Sequence, residues 1–487
     1  VSVPESPNAV NILAIDQGTS STTALVVAPG GEVLASASAP VRPVPGPEGA
    51  VEQDPRELLD SIISAGCGAV RQAGAPIAAV GLGNQGETVL RWDRSSGEPL
   101  GMAISWQDRR AVEVTSGLSE QRERLLQISG LPLDPYFAAP KMAWLRRREG
   151  DGGVITTIDA WVTHRLTGAF VTDAATASRT MLLDLENTRW SAEACGAFGL
   201  HAALQPEVVS CDAAIGETSA FGGALPVTGL AVDQQAALFA ESCFAPGAAK
   251  CTYGTGAFVL ANAGGRAPSS PSGLAACVAW MLGGESTYCL DGQIYTAAAA
   301  VTWLQQLGLI GGAAELDGIC GGEPPERGSP VFVPALAGLG APHWAPQARG
   351  AWLGLSLASR REDLVRAVIW GIASQVATLA RAMCEDAGVP LERLRADGGL
   401  SRSSALLQAQ ADLLQAPVER YPSPDATALG VAAFARLGAG GASSPQDAVG
   451  AWEPAAVFEP RIGAQEAEER LHAFTSAARA VIGLAGE

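Results

Sequence analysis

Lysine is almost absent from this chain: among 487 residues there are two, Lys141 and Lys250. Neither stands in G-x-x-x-x-G-K-[ST], which excludes a P-loop, so any nucleotide is held by another device. Histidine is nearly as scarce. Its four positions, 164, 201, 343 and 472, are too dispersed for a His-ligated metal site or a Ser-His-Asp triad. The nine cysteines are scattered without a C-x-x-C, which indicates neither a zinc site nor a disulfide framework. Their odd count fits a reducing cytoplasm. Positive charge is short overall. A net charge of −18 argues against nucleic acid or an anionic membrane as partner. A small anion could still bind locally, through backbone N–H groups or a metal. No apolar run approaches the roughly 18 residues of a membrane span. The opening VSVPESPNAV has no basic region and no apolar core, so it does not read as a signal peptide. The expectation is a cytoplasmic protein without membrane insertion.

What is present points to a large α/β molecule. Hydrophobic residues make up 47% of the chain, and its length suits two to four domains. In VNILAIDQGTSSTTALVV an apolar strand ends at Asp16, turns through Gln-Gly-Thr-Ser and leaves as a second strand. Half a chain later, KCTYGTGAFVLA repeats the device around Gly254-Thr255-Gly256. An internal duplication is the economical reading, with one α/β domain in residues 1–243 and another in 244–487. Two further junctions resemble these. LPVTGLA ends at Asp233 before the helical QQAALFAE, and LRADGG precedes a helix expected near Ser401. DPRELLDSIISAGCGAVRQAG has Asp54 as N-cap, Pro55 at the first helical position and one apolar face. REDLVRAVIWGIASQVATLARAM repeats that periodicity.

One motif misleads. Gly81-x-Gly83-x-x-Gly86 has the spacing of a dinucleotide-binding turn, but that turn requires a helix at its last glycine. ETVLRWDRSSGEP follows instead, a strand and a hairpin turn.

The chemistry open to these residues is specific. A Gly-Thr-Ser hairpin exposes successive N–H groups to an anion, although the same residues also make a plain β-turn. Asp16 at a strand end suits a hydrated Mg²⁺, which prefers one or two carboxylates plus water. Two such hairpins facing each other would bind a triphosphate without a P-loop lysine. Asp233 could accept a proton during phosphoryl transfer, or merely cap its helix. Gly398-Gly399 could lie flat against an adenine or ribose, or form a simple loop.

Taken as an ordered set, AIDQGTSSTTALVV, GLGNQGETVLRW, TDAATASRTML, GLAVDQQAALFAESC, TYGTGAFVLAN, GLGAPHW and RADGG resemble the FGGY family of carbohydrate kinases, most closely its glycerol kinases. The similarity is collinear over nearly the whole chain. It implies two actin/Hsp70/hexokinase-like (ribonuclease H-like) α/β domains flanking an ATP cleft. ATP and Mg²⁺ are the implied cofactors, a small polyol the implied substrate, and a homodimer or homotetramer the expected assembly. Position by position, it implies Asp16 near the metal and Gly18, Thr19, Ser20 and Thr255 on the phosphates. Ala298, Thr302, Gly399 and Ser403 fall at nucleotide positions. Asp233 matches the family's general base. Glu87, Trp106, Tyr136, Asp233, Gln234 and Phe258 match the polyol pocket.

The departures concern the substrate more than the reaction. Glycerol kinases normally read Asn-Gln-Arg-Glu where this chain has Asn84-Gln85-Gly86-Glu87. Loss of that arginine removes five donors. The expectation is an open space at Gly86, wide enough for a four- or five-carbon substrate. Thr23 replaces an arginine near the phosphates. Ala298 and Thr302 replace a glycine and a glutamine. FGGA, before LPVTG, lacks the arginine linked to fructose bisphosphate control.

Overall fold

The computed structural model describes residues 10–485 except 151 and 323. The leader reading of the opening stretch falls on residues 1–9, outside the described residues. Two sheets organise the molecule, and their inner strands are wired alike. In the first sheet, Ile12–Gln17 pairs antiparallel with Ser21–Val27 and parallel with Ala79–Asn84. Leu225–Val232 then pairs parallel with Ala79–Asn84. In the second, Ala249–Tyr253 pairs antiparallel with Ala257–Gly264 and parallel with Leu394–Asp397, which pairs parallel with Val418–Arg420. Each sheet therefore places the carboxyl ends of three parallel strands side by side, where open α/β sheets build their ligand sites.

Local sequence explains the flanking helices. Pro55–Ala73 begins as expected: the Asp54 carboxylate accepts from the Arg56 N–H, and Gly74 ends it in the left-handed conformation. Leu58, Ile62, Ala65 and Ala69 bury its inner face against the first sheet. Arg361–Ala387 packs on the second sheet. By length and composition this helix is apolar enough to cross a bilayer, contrary to the expectation that no stretch of the chain is. Its apolar stretch is instead mostly buried inside the protein.

The glycine motif has a packing explanation. Helix Ala426–Gly438, late in the second half, returns to lie across the first sheet. A Cβ on Gly81 would come within 2.8 Å of Val431, and one on Gly229 within 2.6 Å of the Ala435 nitrogen. A Cβ on Gly430 of the helix would sit 1.9 Å from the Ala236 carbonyl oxygen. These glycines make a flat seat for a closely packed helix. Gly86 opens no helix; a turn follows it, and then the strand Val89–Trp92.

Candidate active site

Asp16 lies one residue from the end of Ile12–Gln17, and Asp233 directly follows Leu225–Val232. Those strands flank Ala79–Asn84, so the two carboxyls emerge from the same end of the sheet. Asp425, just before helix Ala426–Gly438, adds a third charge. Burial, then Asp233 and Asp425, push Asp16 up to about 7. Asp233 is also held above the usual carboxylate range, chiefly by burial. The Gln234 N–H, Arg179 and Lys250 oppose that rise. Asp233 is not the helix cap, because Val232 holds that position; its carboxylate accepts from the Gln234 N–H at 2.7 Å. Mutually repelling carboxyls are a donor set that a divalent cation would relieve. Among the described residues no cluster of three or more His, Cys, Asp or Glu forms a ready metal cage.

The first hairpin is closed by the Gly18 N–H donating to the Ser21 carbonyl at 3.0 Å. Ser20 is exposed at its tip. Thr19 is pinned: its hydroxyl accepts from the Trp106 indole N–H at 2.8 Å, and its carbonyl from the Gln53 amide at 2.7 Å. The second hairpin leaves Thr255 exposed and uses its carbonyls to begin helix Ala298–Gln306. The Ala297 and Ala298 N–H groups donate to the Thr255 and Gly254 carbonyls at 2.8 and 3.0 Å. Thr302, on that helix, is exposed and back-bonds the Ala298 carbonyl at 3.1 Å. Gly398, with φ +84°, lies against the Tyr253 backbone, while Gly399 has open space where a side chain would be. Ser403 is already engaged. It caps helix Ser404–Leu414, which starts a few residues later than the sequence suggested, and donates to Asp317 at 2.7 Å.

Three aromatic rings gather around Trp106. Trp106 meets Tyr136 and Phe258 edge-on, with ring centroids 6.0 and 6.1 Å apart. Glu87 is buried next to Gly86 with a left-handed φ of 55°. The space expected at Gly86 is bordered instead: a Cβ there would meet Val232 at 3.1 Å and the Arg179 Nε at 3.5 Å. Nor does the pocket lack a guanidinium. The Arg179 Nε donates to Glu87, one of its terminal nitrogens to Asp291 at 2.5 Å, and the other to the Tyr136 hydroxyl at 3.4 Å. Arg179 thus joins a carboxylate of the first half to one of the second sheet.

Sequence reasoning missed Arg179, although it is the one cation in the TDAATASRTML segment. It also noted the two lysines only for what they exclude. Both are fully buried beside the pocket. Lys141 donates to the carbonyls of Pro135, Tyr136 and Phe137 and so fixes the turn that carries the Tyr136 ring; burial draws its pKa down to about 7. Lys250 donates to the side-chain oxygens of Gln234 and Thr252, both at 2.6 Å.

Two sheets of matching topology, each with a strand–hairpin–strand beside a carboxylate-lined strand end, define an actin/hexokinase-like fold. The solved structures agree. The Plasmodium falciparum glycerol kinase with ADP superposes with a TM-score of 0.89, at 29% identity, covering 97% of this chain and 98% of that one. A xylulose kinase from Lactobacillus acidophilus shares the fold at a TM-score of 0.90 with 20% identity, covering 98% and 99%. Residues 11–240 and 249–439 match the N-terminal and C-terminal domains of the FGGY family of carbohydrate kinases. The glycerol kinase of Citrifermentans bemidjiense is 44% identical, covering 95% of this chain and 96% of the relative. That of Thermus brockianus is 43% identical, covering 93% and 94%. The chain belongs to the FGGY family and is an ATP-dependent carbohydrate or polyol kinase.

Proposed function

We propose that this enzyme transfers the terminal phosphoryl group of ATP to a primary hydroxyl of glycerol. The observation that carries the reading is the pocket at the strand end. There Arg179 binds Glu87 and the Tyr136 hydroxyl, Trp106 joins Tyr136 to Phe258, and Asp233 acts on the charges of Glu87 and Tyr136, which supports the reading. Carboxylate and amide groups suit vicinal hydroxyls, and aromatic walls suit the C–H face of a short carbon chain. Near-full-length similarity to glycerol kinases supports the same choice.

In this reading Asp233 accepts the proton of the attacking hydroxyl, and Glu87 and Gln234 orient the polyol. The hairpin N–H groups at Thr19 and Ser20, on the turn that Gly18 closes and with Thr255 opposite, hold the phosphates, and Gly399 offers a flat surface to the nucleoside. Asp16 would hold Mg²⁺, which supplies charge neutralisation to the phosphates when bound. We further expect a cytoplasmic enzyme, a homodimer or homotetramer, with no nucleic-acid or membrane partner. ADP release measured across glycerol, four- and five-carbon polyols and pentuloses tests the substrate. Glycerol should give the highest kcat/KM. A higher value for a five-carbon ketose would overturn the choice of glycerol and leave the kinase assignment standing.

A further inference from the structure

The second hairpin is one corner of a closed ring of contacts. Helix Ala298–Gln306 starts on its carbonyls, and Gly398 packs against the backbone of Tyr253, the residue just before Gly254. From Gly398 the chain makes the turn Gly399–Arg402 and then helix Ser404–Leu414. The short helix Leu316–Cys320, which follows Ala298–Gln306 along the chain, closes the ring through one side chain. The Asp317 carboxylate accepts from the Ser403 hydroxyl at 2.7 Å and from the Ser404 and Ala405 N–H groups at 3.1 and 3.0 Å. An anion is favoured there, where the N–H groups of a helix start are unpaired. Burial opposes its ionisation, but these three donors and the Arg420 charge outweigh burial and hold Asp317 below the ordinary carboxylate range. Arg420 grips the other side of the turn. Its Nε donates to the Ser401 carbonyl at 2.9 Å, and a terminal nitrogen to the Arg402 carbonyl at 3.3 Å.

We infer that Asp317 is a positioning residue for nucleotide binding: it ties helix Leu316–Cys320 to the start of helix Ser404–Leu414 and so fixes the turn at Gly399 beside the second hairpin. The inference rests on Gly399 facing the nucleoside, as proposed above. It also assigns Ser403 its part. That hydroxyl donates to Asp317 and accepts from the Leu406 N–H at 3.3 Å, so it serves the nucleotide by holding the turn.

The test pairs kinetics with hydrogen exchange. Asp317 is exposed, so Asp317→Ala opens no cavity in the core. The KM for ATP should rise by about tenfold, the scale of one lost charge-assisted hydrogen bond, with kcat and the KM for glycerol within about twofold of wild type. Asp317→Asn keeps an acceptor oxygen and should recover part of the loss. A folded Asp317→Ala with an unchanged KM for ATP overturns the inference, as does an equal rise in the KM for glycerol. Should the variant not fold, the wild-type protein still decides. Binding of ADP should slow amide exchange at Gly399–Arg402 and also at Ser404 and Ala405, the two amides that Asp317 holds. Slowing in the turn but not at those two amides contradicts the role of Asp317. No slowing anywhere from 399 to 405, with ADP shown to be bound, contradicts the nucleoside reading of Gly399 instead, and the inference falls with it.

Discussion

Asp233 and Arg179 carry the most testable chemistry at the scale of single residues. Asp233→Asn removes the proton acceptor but keeps the shape. Turnover should fall about 10²- to 10⁴-fold, the range for a positioned base, while calorimetry still detects ATP binding. Near-wild-type turnover would refute the assignment. The pH profile follows from the same group. As a base Asp233 works ionised, and burial raises its pKa, so activity is lost as pH falls through that raised value. The acid limb of kcat/KM should therefore lie above the ordinary carboxylate range. A rate that stayed flat down into that range would be inconsistent with it. Arg179→Lys keeps a charge but loses the planar fork that spans Glu87 and Asp291. We expect kcat/KM for glycerol to drop by about tenfold to 100-fold, because a charge-assisted bond worth about 1.5–3 kcal/mol is lost. Unchanged kinetics would show that the fork is dispensable.

Elements whose signals are local were legible in the sequence. The 55–73 helix announced itself through Asp54, Pro55 and its apolar face, and each hairpin through its glycines and hydroxyls. The family motifs, in order, carried the fold. Gly81 and Gly83 fitted a nucleotide fingerprint because spacing alone cannot show what approaches a glycine. Their partner, Val431, lies about 350 residues away along the chain. The guanidinium beside Glu87 was equally hidden, since Arg179 comes from 92 residues further on and Asp291 from 112 beyond that. The sequence also could not show that Val232 and Arg179 border Gly86, because both are distant along the chain. The helix seat gives a prediction of its own. Gly430→Ala forces a Cβ against the Ala236 carbonyl, and both are backbone-bound. It should destabilise the protein by about 1–3 kcal/mol, the usual cost of overpacking, visible as a lower urea midpoint. A midpoint equal to wild type would mean that the helix can shift at no cost.

At the scale of the whole molecule, two like-wired sheets each carry a hairpin proposed to face the phosphates, and Arg179 bridges the halves beside Glu87. Closure around both ligands would exclude water from the transferring phosphoryl group. Small-angle scattering with a nonhydrolysable ATP analogue and glycerol should show a smaller radius of gyration than the free protein. An unchanged radius, with both ligands shown to be bound, would count against a clamp. The central claim is that the phosphoryl group ends on a primary hydroxyl of glycerol. The direct measurement is ³¹P NMR of a reaction containing the enzyme, ATP, Mg²⁺ and glycerol. The account predicts a phosphomonoester coupled to a CH₂ group, appearing in step with ADP and nearly absent with Asp233→Asn. ADP and inorganic phosphate without a phosphomonoester, or a five-carbon phosphate formed in preference when both substrates compete, would contradict it.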